Sequence, residues 1–401
     1  MSRTLARLAF AVAATAGVAA CGGAQKPVKK VVKKDTQKQK DAHDLLSEAR
    51  EDAKNGDYDG ADKAYSEAYD VSKDFDTLEE RVDCLLNSAG KAQKAVQVAQ
   101  AYYNSHETDP KGFNLYAEAL ITSGDPKDAV DVADEMIKLN ADDPAGHEKM
   151  GRALIGIDKI EEGLDELRKA RDLDPKNAQY HRSLGIALNA DKRIDEAALE
   201  FRATVKYAPN DADSYVYLGM ALRGQGEFDE AKGYLDKAIE LDARSGRAYF
   251  ELGLLYNAEQ KQADAEVALS KAVQLSPNTS LFWYAYGEIY RLQSQYDEAI
   301  KAYKRACDLD PPYPKALQKL GALLVKNKQY DDAELILTQA VHREPKNANN
   351  YFQLGALYAA KGKSSLALDN YETYLKLAPK GDEDRPRAQR AIAELKRHHG
   401  V

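Results

Sequence analysis

The chain has 401 residues, of which 30% are charged and 44% apolar, with a formal net charge of −8. That composition suits a soluble, core-forming protein and excludes a disordered or collagen-like one. The net acidity argues against nucleic acid as the main partner, because phosphate binding needs a basic face.

Charge is unevenly placed. Residues 1–21 carry Arg3 and Arg7 and no acid, and residues 22–41 carry seven Lys against Asp35 and Asp41, so the body beyond them is more acidic than the whole. The apolar run Leu8–Ala20 is shorter than the about 20 residues a spanning helix needs, so residues 1–20 read as a signal peptide. It ends in Val18-Ala19-Ala20-Cys21, which resembles the lipobox of bacterial lipoproteins, with Val where Leu is usual. The resemblance implies lipidation of Cys21. Gly22 follows, where Asp would favour retention in the inner membrane, so the expectation is an outer-membrane anchor facing the periplasm. Residues 21–41, with Pro27 and no apolar period, are expected to form a flexible tether.

From residue 42 the chain repeats. Leu184-Gly185, Leu218-Gly219, Leu252-Gly253, Tyr286-Gly287, Leu320-Gly321 and Leu354-Gly355 recur every 34 residues. Ten units tile 42–381, starting at 42, 76, 110, 144, 178, 212, 246, 280, 314 and 348. Large residues at positions 4, 7 and 11 share one helix face, and positions 20, 24 and 27 share the face of a second helix. Position 20 is small throughout: Ala61, Ala95, Ala129, Gly163, Ala197, Ala231, Ala265, Ala299, Ala333 and Ala367. Small residues at 8, 20 and 27 let two helices approach closely, and Pro at 32 ends the second. The early units depart from the pattern, with Asp83 at position 8 and Tyr102 and Met136 at position 27.

The unit 280–313, with Trp283, Tyr286, Gly287, Tyr290, Ala299, Tyr303, Ala306 and Pro311, resembles a tetratricopeptide repeat. That resemblance implies an all-α, right-handed superhelical solenoid of helix-turn-helix units. Residues 382–401 supply a capping helix with Ala388, Ile392 and Leu395 on one face. The resemblance also implies a concave groove lined by positions 2, 5, 9 and 12 of the first helices. The candidate partner-binding residues there are Arg182, Val216, Met220, Arg223, Phe250, Leu254, Asn257, Tyr284, Glu288 and Arg291. Apolar groups beside Arg and Asn suit an envelope protein or peptide. Some relatives clamp a terminal carboxylate with Lys at 5 and Asn at 9. Arg182/Ile186, Phe250/Leu254 and Tyr284/Glu288 do not match that pair, and the clamp mode is not expected.

No catalytic set emerges, and no cofactor or metal site is expected. His43, His106, His147, His181 and His342 fall singly in different units, His398-His399 lie at the end, and Cys84 and Cys307 have no CxxC spacing. The Asp-Glu-Ala runs recur at positions 18–19, where acids favour a helix start. The sequence reads as a non-enzymatic scaffold or assembly factor for an envelope machine, similar to tetratricopeptide lipoproteins of secretin, pilus or gliding-motility assembly. An accessory subunit of polysaccharide synthesis or export is the alternative.

Overall fold

The computed structural model describes residues 33–88, 90–309 and 313–399. Cys21, the signal segment and most of the expected tether lie outside them. Every regular element among the described residues is an α-helix. Two compact units, residues 1–227 and 228–401, are described separately.

In the first unit α1 spans Lys33–Asn55, α2 Tyr58–Ser72, α3 Phe75–Leu86, α4 Ala92–Ser105, α5 Pro110–Ser123 and α6 Pro126–Leu139. There follow α7 Pro144–Gly156, α8 Ile160–Leu173, α9 Ala178–Ala190, α10 Ile194–Tyr207 and α11 Ala212–Gln225. In the second unit α12 spans Phe228–Leu241, α13 Gly246–Ala258, α14 Gln262–Leu275, α15 Ser280–Leu292 and α16 Tyr296–Asp308. It closes with α17 Pro314–Lys326, α18 Tyr330–Arg343, α19 Ala348–Ala360, α20 Ser364–Leu377 and α21 Arg385–His399. From Pro110 onward the helices alternate, and each of the two series restarts every 34 residues. Within either unit, consecutive helices pack on one another.

The end signals act as their chemistry requires. Asp109, Asp143, Asn177, Ser245 and Asn347, each at position 34, accept backbone N–H groups at the starts of α5, α7, α9, α13 and α19. Second helices open on acids such as Asp195 and Glu196 or Asp297 and Glu298. Helices α8, α10, α14, α18 and α20 stop two residues ahead of Pro175, Pro209, Pro277, Pro345 and Pro379, because the residue before proline disfavours helical backbone. One expectation is corrected. Helix α1 begins at Lys33, so the last residues of the stretch expected to be an extended tether are helical. That stretch is rich in Lys and Gln with no Gly or Pro after Pro27, which lets the helix propagate upstream.

Close approach within each hairpin explains the small residues. Nine of the ten position-20 residues are alanines with no exposed surface. Position 8 faces position 24 of the same unit: a Cβ added at Gly253 would fall 2.6 Å from Leu269, and at Gly287 2.7 Å from Tyr303. Asp83 occupies the equivalent place in 76–109 and is exposed. Its hairpin forms without that tight helix crossing.

The bulky residues at position 27 have an answering vacancy. Tyr102 packs over Gly112 and Met136 over Gly146, each glycine lying at position 3 of the following unit. Where position 27 is small, position 3 is often larger, as with Ala272 and Phe282 or Ala170 and Tyr180. Volume is thus exchanged across the interface between units.

Helix α21 packs on α20, burying Ala388 and half-burying Ile392 and Leu395 against Phe352 and Tyr374. Arg385 donates to the carbonyls of Leu375 and Ala378 at 2.8 and 2.9 Å. It thereby satisfies groups that the end of α20 leaves unpaired.

Candidate functional site

Each hairpin contributes its first helix to the face on which binding residues were expected. In the first unit charged side chains on that face pair with one another. Glu118 projects from α5, Glu148, Lys149 and Arg152 from α7, and Ser183 from α9. Arg152 meets Glu118 through both terminal nitrogens at 2.6 and 2.8 Å and reaches Glu148 at 3.3 Å. Lys149 lies 2.8 Å from Glu118 and 2.9 Å from Glu148, and Ser183 Oγ donates to Glu148 at 2.7 Å. Two carboxylates and two cations cancel, and every one of these contacts reduces the desolvation cost of the others. Burial pushes the Glu118 carboxyl up, but Arg152 and Lys149 overcome it and hold the group well below the usual carboxylate range.

None of these residues was singled out from the sequence. A signal was present: Glu118 and Arg152 both occupy position 9, one period apart, so laying the units in register places opposite charges side by side.

Of the expected residues of the first unit, one lies inside the core and three are half-buried. Arg182 is half-buried and tied to Gln179 and, at 3.2 Å, to Asp211. Val216 has no exposed surface and serves packing, so it offers a partner no contact area. Met220 and Arg223 are half-buried.

In the second unit the corresponding face keeps more access. Phe250 is nearly buried and stacks on Phe282, with ring centroids 4.4 Å apart, so it too is mainly a packing residue. Leu254 and Asn257 are half-buried. Tyr284 lies between the rings of Tyr303 and Tyr313, at 5.9 and 4.6 Å. Glu288 accepts from Tyr303 and pairs with Arg291 at 3.0 Å, and Lys319 approaches it to 3.9 Å. The structure therefore brings Tyr284, Glu288 and Arg291 together as one aromatic and charged cluster. Toward the end, Phe352, Ala356 and Ala359 belong to the core cluster that includes α21, and Arg387 stands 5.3 Å over the Phe352 ring.

Residues 46–113, 148–213 and 217–280 match the tetratricopeptide repeat family. Residues 257–385 match the tetratricopeptide domain of the cytochrome c-type biogenesis protein H. The chain is a tetratricopeptide repeat protein. No curated protein matches it. Among solved structures this tetratricopeptide chain is similar to the APC/C hetero-tetramer Cut9–Hcn1, at 15% identity over 88% of this chain and 76% of that one, with a TM-score of 0.51. It is also similar to the human IFIT1 dimer with PPP-AAAA, at 16% identity over 87% and 96% of the two chains, with a TM-score of 0.50. Those identities carry the fold and nothing finer.

Tetratricopeptide arrays are in general scaffolds that bind proteins or peptides. Among the described residues no group of three or more His, Cys, Asp or Glu is placed to hold a metal ion. No described helix is long and apolar enough to cross a membrane.

Proposed function

We propose that this tetratricopeptide repeat protein is a protein-binding scaffold carried on a lipid anchor at the outer membrane, facing the periplasm. It supports the assembly of a multiprotein envelope machine of the secretin, pilus or gliding-motility kind. The observation that carries the reading is the conjunction of Cys21, at the end of a short apolar leader, with an array of helical hairpins and no catalytic constellation in the sequence. Acyl chains on one residue hold a soluble array at a bilayer, since each buried CH₂ contributes about 0.8 kcal/mol. The cluster of Tyr284, Glu288 and Arg291 offers aromatic and charged groups of the kind that dominate protein interfaces.

Labelled palmitate tests the anchor. The native chain takes up label and sediments with membranes, and Cys21→Ser does neither; an unlabelled native chain overturns the anchor. Cross-linking in cells tests the scaffold, with secretin, pilus or motility components expected among the captured proteins.

A second reading rests on the match over residues 257–385. There the array serves cytochrome c-type biogenesis, and the same cross-linking captures the proteins that mature cytochromes c.

A further inference from the structure

Position 4 of the repeat makes one contact again and again. Tyr215, Trp283 and Tyr351 each donate to the carbonyl six residues earlier, on Pro209, Pro277 and Pro345, at 3.0, 2.8 and 3.0 Å. The bond fastens a first helix to the end of the helix before it.

Two consecutive units put histidine at this place. Nε2 of His147 lies 3.0 Å from the Ala141 carbonyl and Nε2 of His181 lies 3.0 Å from the Pro175 carbonyl. Tyrosine and tryptophan have one polar atom to spend, but an imidazole has two. Nδ1 of His147 lies 2.6 Å from Glu166 on α8, and Nδ1 of His181 lies 2.6 Å from Glu200 on α10. Both histidines are 7% exposed, so water does not substitute for a lost partner.

The chemistry of these contacts favours a charged ring. A carbonyl only accepts, and an ionised carboxylate only accepts. Satisfying both ends requires a proton on each nitrogen, which makes each ring an imidazolium. A neutral ring has one N–H, so one link loses its hydrogen and two buried lone pairs face each other.

The surrounding charges are few. Glu166 is also bound by Lys169 of its own helix at 2.7 Å. Glu200 is also bound at 2.6 Å by Arg171 of α8, which pairs with Asp172 at 2.7 Å. The Tyr207 ring stacks on His181 with centroids 5.6 Å apart.

We propose that His147 and His181 make the stacking of α6 through α10 a pH-responsive joint. Charged, they clamp α7 and α9 to the carbonyls behind them and to their own second helices. Neutral, they release one clamp each. The second unit has Trp283 and Tyr351 at the same position and does not respond. The Glu200 bond raises the His181 pKa above its ordinary 6.5 against the opposing effect of burial. A raised histidine contributes stability that is complete below the unfolded value and lost as pH rises through the folded one. At His181 the joint therefore tightens on acidification and loosens as pH rises through that raised value. Helices α7 and α9 also carry Arg152, Glu148 and Arg182, so the spacing of the first unit's binding face follows the joint.

Amide exchange on the full chain, corrected for intrinsic rate and run from about pH 6 to about pH 9, spans the relevant titration. Protection in α7–α10 is expected to fall by about tenfold for each unit by which the His181 pKa exceeds its free value. Protection in α15–α20 stays level. The double variant H147Y/H181Y, which copies the neighbouring solution, abolishes the fall. A uniform response along the chain, or an undiminished fall in the variant, overturns the proposal. Ring ¹⁵N shifts of the native chain decide independently of any variant. Rings that are doubly protonated at about pH 6 and lose one proton as pH rises support the joint, and a ring nitrogen bare throughout overturns it.

Discussion

The Phe201 ring lies on Gly185 so closely that a Cβ added at the glycine would stand 2.6 Å from the ring. Local propensity and packing therefore pull in opposite directions at this site. In an exposed helix, Gly→Ala stabilises by roughly 0.5–1 kcal/mol. At Gly185 the same change forces α9 away from α10, and overpacking of this kind costs about 1–3 kcal/mol. Gly233 is the control, being exposed on α12 with nothing within 4 Å of the point where a Cβ would stand. Denaturant midpoints should fall for Gly185→Ala and rise for Gly233→Ala. A rise in both would mean that position 8 tolerates a methyl and that the hairpin is not set by this contact.

The exchange of volume between Tyr102 and Gly112 gives a second test. A Cβ at Gly112 would lie 3.1 Å from the Tyr102 ring. Gly112→Ala should cost about 1 kcal/mol through crowding. Tyr102→Ala should cost at most about 3–5 kcal/mol through the cavity it leaves. The double variant should cost less than the two singles added together, because the new methyl occupies part of the space vacated. Strict additivity in a double-mutant cycle would contradict the pairing.

That pair also shows how far the sequence can be read. The small residue at position 20 and the glycine at position 8 were legible because each unit solves the same problem in the same way. Met136 and Tyr102 looked like defects, since a repeat template compares one position at a time. Their compensation lies at position 3 of the next unit. The charge network was hidden for a related reason. Glu118, Glu148 and Arg152 are ordinary surface residues in a linear reading and become partners only when two first helices lie together. Val216 and Phe250 erred in the opposite sense: their register suited the face, but neighbouring helices cover them.

A third prediction concerns a position at which residue type alone marks nothing. The residue at position 15, between the two helices of a unit, has positive φ at Gly56, Gly90, Gly124, Gly226 and Gly362. The same conformation occurs at Asp158, Lys192, Gln260, Ser294 and Lys328. A left-handed residue with a Cβ costs about 1–2 kcal/mol, offset in part by the greater chain entropy glycine loses on folding. Lys328→Gly and Gln260→Gly should each raise stability by up to about 1 kcal/mol. The converse change Gly362→Ala should lower it by a similar amount. Thermal unfolding of the three variants beside the native chain would check the sign, and a destabilised Lys328→Gly would refute the argument.

The last prediction removes one member of the buried network. In Arg152→Met the carboxylates of Glu118 and Glu148 keep Lys149 as their shared cation, although Glu148 retains the Ser183 hydroxyl. Breaking a buried pair by removing one partner costs about 3–5 kcal/mol, because the charge left behind is uncompensated. The loss should depend on pH, and its direction follows from the charges. In the native chain burial raises both carboxyls, but the cations lower them further still. Their stabilisation is thus present at neutral pH and disappears only as pH falls through folded values below the ordinary 4.5. Without Arg152 the effect of burial is opposed more weakly and both folded values rise. The variant should therefore lose stability mainly at neutral pH and approach the native chain in acid, where protonated carboxyls need no cation. Urea midpoints measured across that range decide it. A penalty that is constant with pH would assign Arg152 a packing role and leave its charge without structural consequence.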